Sequence, residues 1–241
     1  MSWDPDAFFT LHSDLPREGP GLPEDVHWAL SVAGVSGSVS VCDAGCGPGA
    51  DLETLAAALP QARLVGIETH PPFIDAARSR VARFGDRVTA DVGDMSRLTG
   101  PFDLIWSAGA LYFLGVQAGL RAWAKALAPG GYVAFSEPVA VTWPLSASAA
   151  AFWEEYSALT DLPGLVAQVE AAGFEVMNHR LITGAAWAAY YDPMRHRVAA
   201  LRKSAVDDAL ARVLDEADRE IALWEEGGDD IAYALLVTRP A

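Results

Sequence analysis

Two acidic side chains bracket a run of glycines in this sequence. Asp43 is followed by Gly45, Gly47 and Gly49 at alternate positions, and Glu68 comes 19 residues after Gly49. Glycine adopts positive φ and has no Cβ, so a turn built from it lets a ligand press against bare backbone. A helix opening behind such a turn offers unpaired N–H groups and a partial positive charge. A carboxylate about 20 residues further on stands where an acid meets a ribose in nucleotide-binding βαβ units, and it can accept hydrogen bonds from both ribose hydroxyls. The chemistry implied is tight holding of a nucleotide-like ligand. Gly47 is expected not to accept a bulky side chain, and Gly47→Val is expected to abolish that binding with near-normal helix content.

The elements that must position these residues follow in the sequence. Val39 to Asp43 is short, apolar and rich in β-branched residues, as in a strand buried on both faces. Asp51 to Leu59 carries leucines at 52, 55 and 59, one face of a helix. Arg63–Glu68 reads as a second strand, Pro71 to Phe84 as a helix with proline in its first turn, and Arg87 to Asp91 as a third strand. Pro101 to Ser107 is a fourth strand, Gln117 to Leu127 a helix, and Tyr132 to Glu137 a fifth strand. The glycine turn alone leaves two readings open, since Gly45-x-Gly47-x-x-Ala50 also fits the relaxed dinucleotide fingerprint of nicotinamide-dependent oxidoreductases.

The order of the later motifs decides between them. Asp43-Ala-Gly45-Cys-Gly47-Pro-Gly49 resembles motif I of the class I S-adenosylmethionine-dependent methyltransferases. Glu68 after the second strand, Gly93-Asp94-Met95 after the third, Phe102-Asp-Leu-Ile105 in the fourth and Leu127-Ala-Pro-Gly-Gly131 before the fifth keep that family's order over residues 39–138. The resemblance implies an α/β, Rossmann-like, seven-stranded, mostly parallel sheet with helices on both faces. The last strand is antiparallel and lies between strands five and six. It also implies S-adenosyl-L-methionine as cofactor. Asp43 then faces the methionine amino group, Glu68 takes the ribose, Asp94 the adenine amine, and Met95 packs on the ring. Gly45, Cys46, Gly47 and Gly49 form the cradle, with Thr69 and Ser107 beside it.

The chain is expected to be a single domain of 241 residues with a net charge of −15 and no run of lysine or arginine. Nucleic acid and anionic membrane surfaces are disfavoured as partners, because both are held by basic side chains; a small-molecule acceptor is the expectation. Two cysteines, Cys42 and Cys46, make neither a disulfide framework nor a metal motif, so no metal is expected. Met1-Ser-Trp-Asp lacks a basic n-region, and the cytoplasm is expected. The oligomeric state is open, a homodimer included.

Beyond the cofactor motifs the reading thins. Residues 1–38 are expected to form an N-terminal cover arm over a core at 39–138. Residues 139–160 and 184–227 are expected to be an inserted helical cover, with Ser146 to Leu159 helical and Trp187 to Pro193 an aromatic loop acting as a lid. Helices near 195–204 and 207–226 follow that loop. Acceptor contacts are sought at Tyr112, Glu137, Trp143, Trp187, Tyr190 and Tyr191. Glu137, His12 and Tyr112 are the candidates for a catalytic role. Similar small-molecule methyltransferases carry Ser-Glu-Gly-Ala after strand four, where this chain has Ser107-Ala-Gly-Ala110. The missing acid keeps open a protein that binds S-adenosylmethionine without catalysis.

Overall fold

The computed structural model describes residues 4–154, 156–204 and 207–241. The first three residues of the expected arm, and residues 155, 205 and 206 of the expected cover, therefore lie outside the described residues. The strands are β1 (Ser40–Ala44), β2 (Arg63–Glu68), β3 (Val88–Val92), β4 (Phe102–Ala108), β5 (Leu127–Ala140), β6 (Thr160–Asp161), β7 (Phe174–Ile182) and β8 (Ile231–Pro240). They form one sheet in the order β3-β2-β1-β4-β5-β8-β7. All neighbours are parallel except β8, which runs antiparallel to both β5 and β7. The expected sheet is therefore present with its reversed penultimate strand. One strand was not foreseen: the two-residue β6 pairs beside the end of β5.

Alternation along the central strands builds two cores. Val41, Leu104 and Trp106 face one layer with α2 (Pro23–Ala33), α3 (Ala50–Ala58) and α4 (Pro71–Val81). Cys42, Ile105, Val133 and Phe135 face the other, where α5 (Val116–Trp123) and α7 (Leu162–Ala171) supply Leu120, Trp123, Leu165 and Val169. Strands covered on both faces must be apolar throughout, which is why β1 and β4 read as continuous hydrophobic runs. Both cysteines are free and buried.

The remaining helices are α1 (Pro5–His12), α6 (Ala147–Phe152), α8 (Ala185–Leu201) and α9 (Asp208–Gly227). Asp4 opens α1, accepting from Ala7 N at 3.0 Å, and Asp207 opens α9 by accepting from Leu210 N at 2.8 Å. Each removes an orphan donor from a first turn. α1 packs on α8 and α9, and α6 packs on α9. α1, α8 and α9 each place residues in the space beyond the carboxyl ends of the strands.

Two expectations about this part are corrected. The stretch from Trp187 to Pro193 is helix rather than loop, lying within the 17 residues of α8. Pro193 removes one intrahelical donor, but Ala185, Ala186, Ala188 and Ala189 ahead of it are strong helix formers. The helix expected over Ser146 to Leu159 is confined to Ala147–Phe152.

Candidate active site

A cavity of about 590 Å³ opens at the carboxyl ends of β1, β2 and β4, beneath α1 and the cover. A second, of about 290 Å³, adjoins it across Gly45, Glu68, Thr69, Ala110 and Phe113. The glycine turn forms the floor between them. Gly45 N and Cys46 N donate to Ile67 O at 2.8 and 3.1 Å, tying the turn to β2. Gly45, Gly47 and Gly49 all have positive φ. Their surroundings differ. A Cβ on Gly45 would stand 2.6 Å from Ala110 Cβ, whereas one on Gly47 would meet Glu18 Cγ at 3.4 Å. Gly45 is thus the tighter position, a change from the emphasis on Gly47. Gly49 lines neither cavity; a Cβ there would meet Ala77 Cβ at 2.9 Å, so its role is the close approach of α3 to α4.

Asp43 lines the larger cavity with a side chain 2% exposed, and its Oδ2 has no hydrogen-bond partner. Burial first, then the charges of Asp51 and Glu68, push its carboxyl well above the usual range, against the opposing pull of Arg17. A buried, partnerless acid is costly, and a cation arriving at Oδ2 would relieve it. Glu68 grips the backbone around it. Oε1 accepts from Thr69 N at 2.6 Å and His70 N at 3.0 Å, and Oε2 from Gly47 N at 3.3 Å. It therefore clips the turn after β2 to the glycine turn as well as facing both cavities. Thr69 lines both. Asp94 and Met95 line the smaller one, where Trp123 Nε1 donates to Met95 O at 2.7 Å and fixes that loop.

The residues proposed for the acceptor side divide. His12, Tyr112 and Tyr190 line the larger cavity, as does Cys46. Trp187 does not: it is 2% exposed, donates to Ile182 O at 3.1 Å and stacks with Trp224, so it belongs to the core of the cover. Trp143 lies on the outside at 69% exposure. Ser107 turns inward and donates to Ala44 O at 2.8 Å. Tyr191 lies behind the cavity wall, its hydroxyl donating to Glu220 at 2.7 Å. Glu137 is buried, accepts the Tyr156 hydroxyl, and reaches neither cavity wall.

Several lining residues escaped the sequence reading: Phe9, Arg17, Glu18, Asp51, His70 and Glu220. Phe9 stacks on His70 with ring centroids 3.5 Å apart, which seats α1 over the turn after β2. His12 Nδ1 lies 2.6 Å from Glu18 Oε2. Arg197 of α8 holds the arm from above, donating to Thr10 O at 3.1 Å and Ser13 Oγ at 2.8 Å. Arg197→Ala is expected to raise amide exchange through residues 5–14 while the central strands keep their protection, since local opening follows the loss of local contacts. Unchanged exchange in α1 would show that the stacked rings alone hold the arm.

This geometry coincides with a sequence relationship. Residues 41–131 match the family model of the methyltransferase domain. Over that stretch the chain is similar to the methyltransferase domain family. Around that domain, trans-aconitate 2-methyltransferase of Paracidovorax citrulli is 36% identical over 139 residues, 56% of this chain and 50% of that protein. The chain spans about half the length of the curated relatives it matches. Among solved structures, a methyltransferase from Geobacter sulfurreducens in complex with S-adenosyl-L-homocysteine superposes with a TM-score of 0.87 at 22% identity, covering 100% of both chains. Another from Thiobacillus denitrificans, in complex with the same compound, gives 0.83 at 21% identity over 100% of both chains. The whole chain, arm and cover included, therefore shares one fold with them. No described helix is long and apolar enough to cross a membrane, and no group of three or more potential metal ligands assembles among the described residues.

Proposed function

We propose that this chain is an S-adenosylmethionine-dependent methyltransferase acting on a small-molecule acceptor in the cytoplasm. The observation that carries the reading is Asp43: a buried carboxylate with a partnerless oxygen, aimed into the cavity beside a positive-φ glycine turn. The residues present fit S-adenosylmethionine. Asp43 would hold its amino group, Glu68 its ribose hydroxyls, and Asp94 with Met95 its adenine in the smaller cavity. When bound, the cofactor supplies a methyl group already activated on a sulfonium. What this chain's residues contribute is position and exclusion of water: α1, α8 and α9 close over the cavity, and Tyr112 and Tyr190 wall the side from which an acceptor would approach. Curated relatives such as those of Paracidovorax citrulli and Streptomyces avermitilis are named for methylation of a small molecule, trans-aconitate, which supports the acceptor class.

Calorimetry with S-adenosylhomocysteine tests the reading. The wild-type chain is expected to bind. Asp43→Asn and Glu68→Ala are each expected to weaken binding by roughly ten- to a hundredfold, the cost of one lost hydrogen bond to a charged group. An unchanged dissociation constant in both variants would remove Asp43 and Glu68 from the site. No binding by the wild type would remove the function.

A further inference from the structure

The larger cavity is charged unevenly. Five carboxylates line it, on Glu18, Asp43, Asp51, Glu68 and Glu220, against one guanidinium, on Arg17. That guanidinium is already engaged: Nη2 lies 3.3 Å from Asp51 Oδ1, and Nε donates to Gly19 O at 2.5 Å. Asp43 and Glu68 belong to the cofactor proposed above. Glu18 and Glu220 have no such use. They come from opposite sides of the cover, the loop after α1 and the middle of α9, and both face the chamber that holds Tyr190.

His12 offsets both acids in part, by meeting Glu18 directly and by acting on Glu220 electrostatically. Glu18 Oε2 meets His12, but its Oε1 is buried without a hydrogen-bond partner. Glu220 is an exposed residue that lines the cavity. Its Oε1 accepts the Tyr191 hydroxyl, a neutral donor that orients the carboxyl group. Burial pushes both carboxyls up, so each would gain from a positive partner. Glu137 adds a third acid behind the wall, close enough with Glu220 to act on Tyr112 electrostatically. The rings of Tyr112, Tyr190 and Phe8 complete the chamber, and aromatic faces attract cations.

We propose that the acceptor presents a protonated amine to Glu220 and Glu18, and that anionic acceptors are excluded from this chamber. The inference rests on the methyltransferase reading and deepens it. A carboxylate-bearing acceptor, of the kind named for the curated relatives, would enter against unpaired negative charge with no free cation to receive it. An ammonium would replace lost water with two charge-assisted contacts. The proton it must shed before nitrogen can act as a nucleophile would break from N and bond to a Glu220 carboxylate oxygen, leaving the lone pair on nitrogen.

The test uses the chain loaded with S-adenosylhomocysteine, so that cofactor binding is read first and separately. If that loading fails, the methyltransferase reading fails, and this inference with it. On the loaded chain, two probes of the same skeleton are compared by calorimetry: phenethylamine, which is cationic, and 3-phenylpropanoate, which is anionic; trans-aconitate is a third arm. The amine is expected to bind at least about tenfold tighter than either anion, and Glu220→Gln is expected to reduce that preference by about tenfold, the loss of one charged contact. Glu18→Gln serves as the second variant and is expected to act in the same direction. Tighter binding of either anion, no amine binding by the loaded chain, or a preference unmoved in both variants would overturn the proposal.

Discussion

Replacing Gly45 with valine is expected to reduce affinity for S-adenosylhomocysteine by more than about a hundredfold. Gly45 has φ +78, and a Cβ there would lie 2.6 Å from Ala110 Cβ. A β-branched residue must then displace Ala110, which lines both cavities, or distort the turn that Gly45 N ties to Ile67 O. The left-handed conformation and the overpacking together cost roughly 2–5 kcal/mol of stability. A melting temperature is therefore recorded beside the calorimetry, to separate an unfolded variant from a folded one that cannot bind. Gly47→Ala is the control for backbone strain alone, because at φ +50 it carries the left-handed penalty while its Cβ meets only Glu18 Cγ, at 3.4 Å. If folded Gly45→Val binds as tightly as the wild type, the turn is not the cradle.

The second large effect concerns Glu137 and pH. Burial pushes its carboxyl from an ordinary 4.5 up to about 7, opposed by the hydrogen bond from Tyr156. Its Oε2 has no partner and the residue is 2% exposed. Between pH 4.5 and 7 the folded chain therefore keeps a proton at Glu137 that the unfolded chain has released. Stability falls as pH rises through that window and levels off above it, by about 3 kcal/mol in all. Glu137→Gln resembles the protonated form and can still accept from Tyr156. Its melting temperature is expected to match the wild type near pH 5 and to exceed it by several degrees at pH 8. Asp43, Glu18 and Glu220 are shifted in the same direction, so both proteins should lose stability with rising pH. The diagnostic is the difference between the two curves, and parallel curves would reject the assignment.

The residues that could be placed from sequence are those whose geometry is local. Asp43, Gly45 and Glu68 end strands or form the turn between a strand and a helix, and parallel register sets β1 beside β2. The reversed β8 is not local in this sense; it is what the family resemblance implies. The acceptor side has no such shorthand. Glu18 and Glu220 are 202 positions apart and line one cavity, in a region where α1 packs on α9. Aromatic content misled in the same region. Trp187 and Tyr190 are three residues apart on α8, yet one turns into the core of the cover and the other to the cavity. Only the direction in which α8 packs tells them apart. Ser107 and Glu137 lie towards strand ends, but Ser107 donates to Ala44 O, Glu137 accepts the Tyr156 hydroxyl, and neither lines a cavity.

One topological feature bears on how the chain comes to be folded. β8 fills the place between β5 and β7, with Glu137 opposite Ala234 and Ile182 opposite Tyr233. On a ribosome, β5 and β7 are therefore finished well before the strand that joins them. Until residues 231–240 emerge, β5 carries a long apolar edge with open backbone donors and acceptors, and β7 has nothing to pair with. Such an edge is a template for pairing with another chain, and its closure must wait for a contact across about 95 residues of sequence, a slow class of folding event. The half of the sheet that carries Asp43 and Glu68 can form during synthesis. The half that carries Glu137 is completed only when residues 231–240 join β5 to β7.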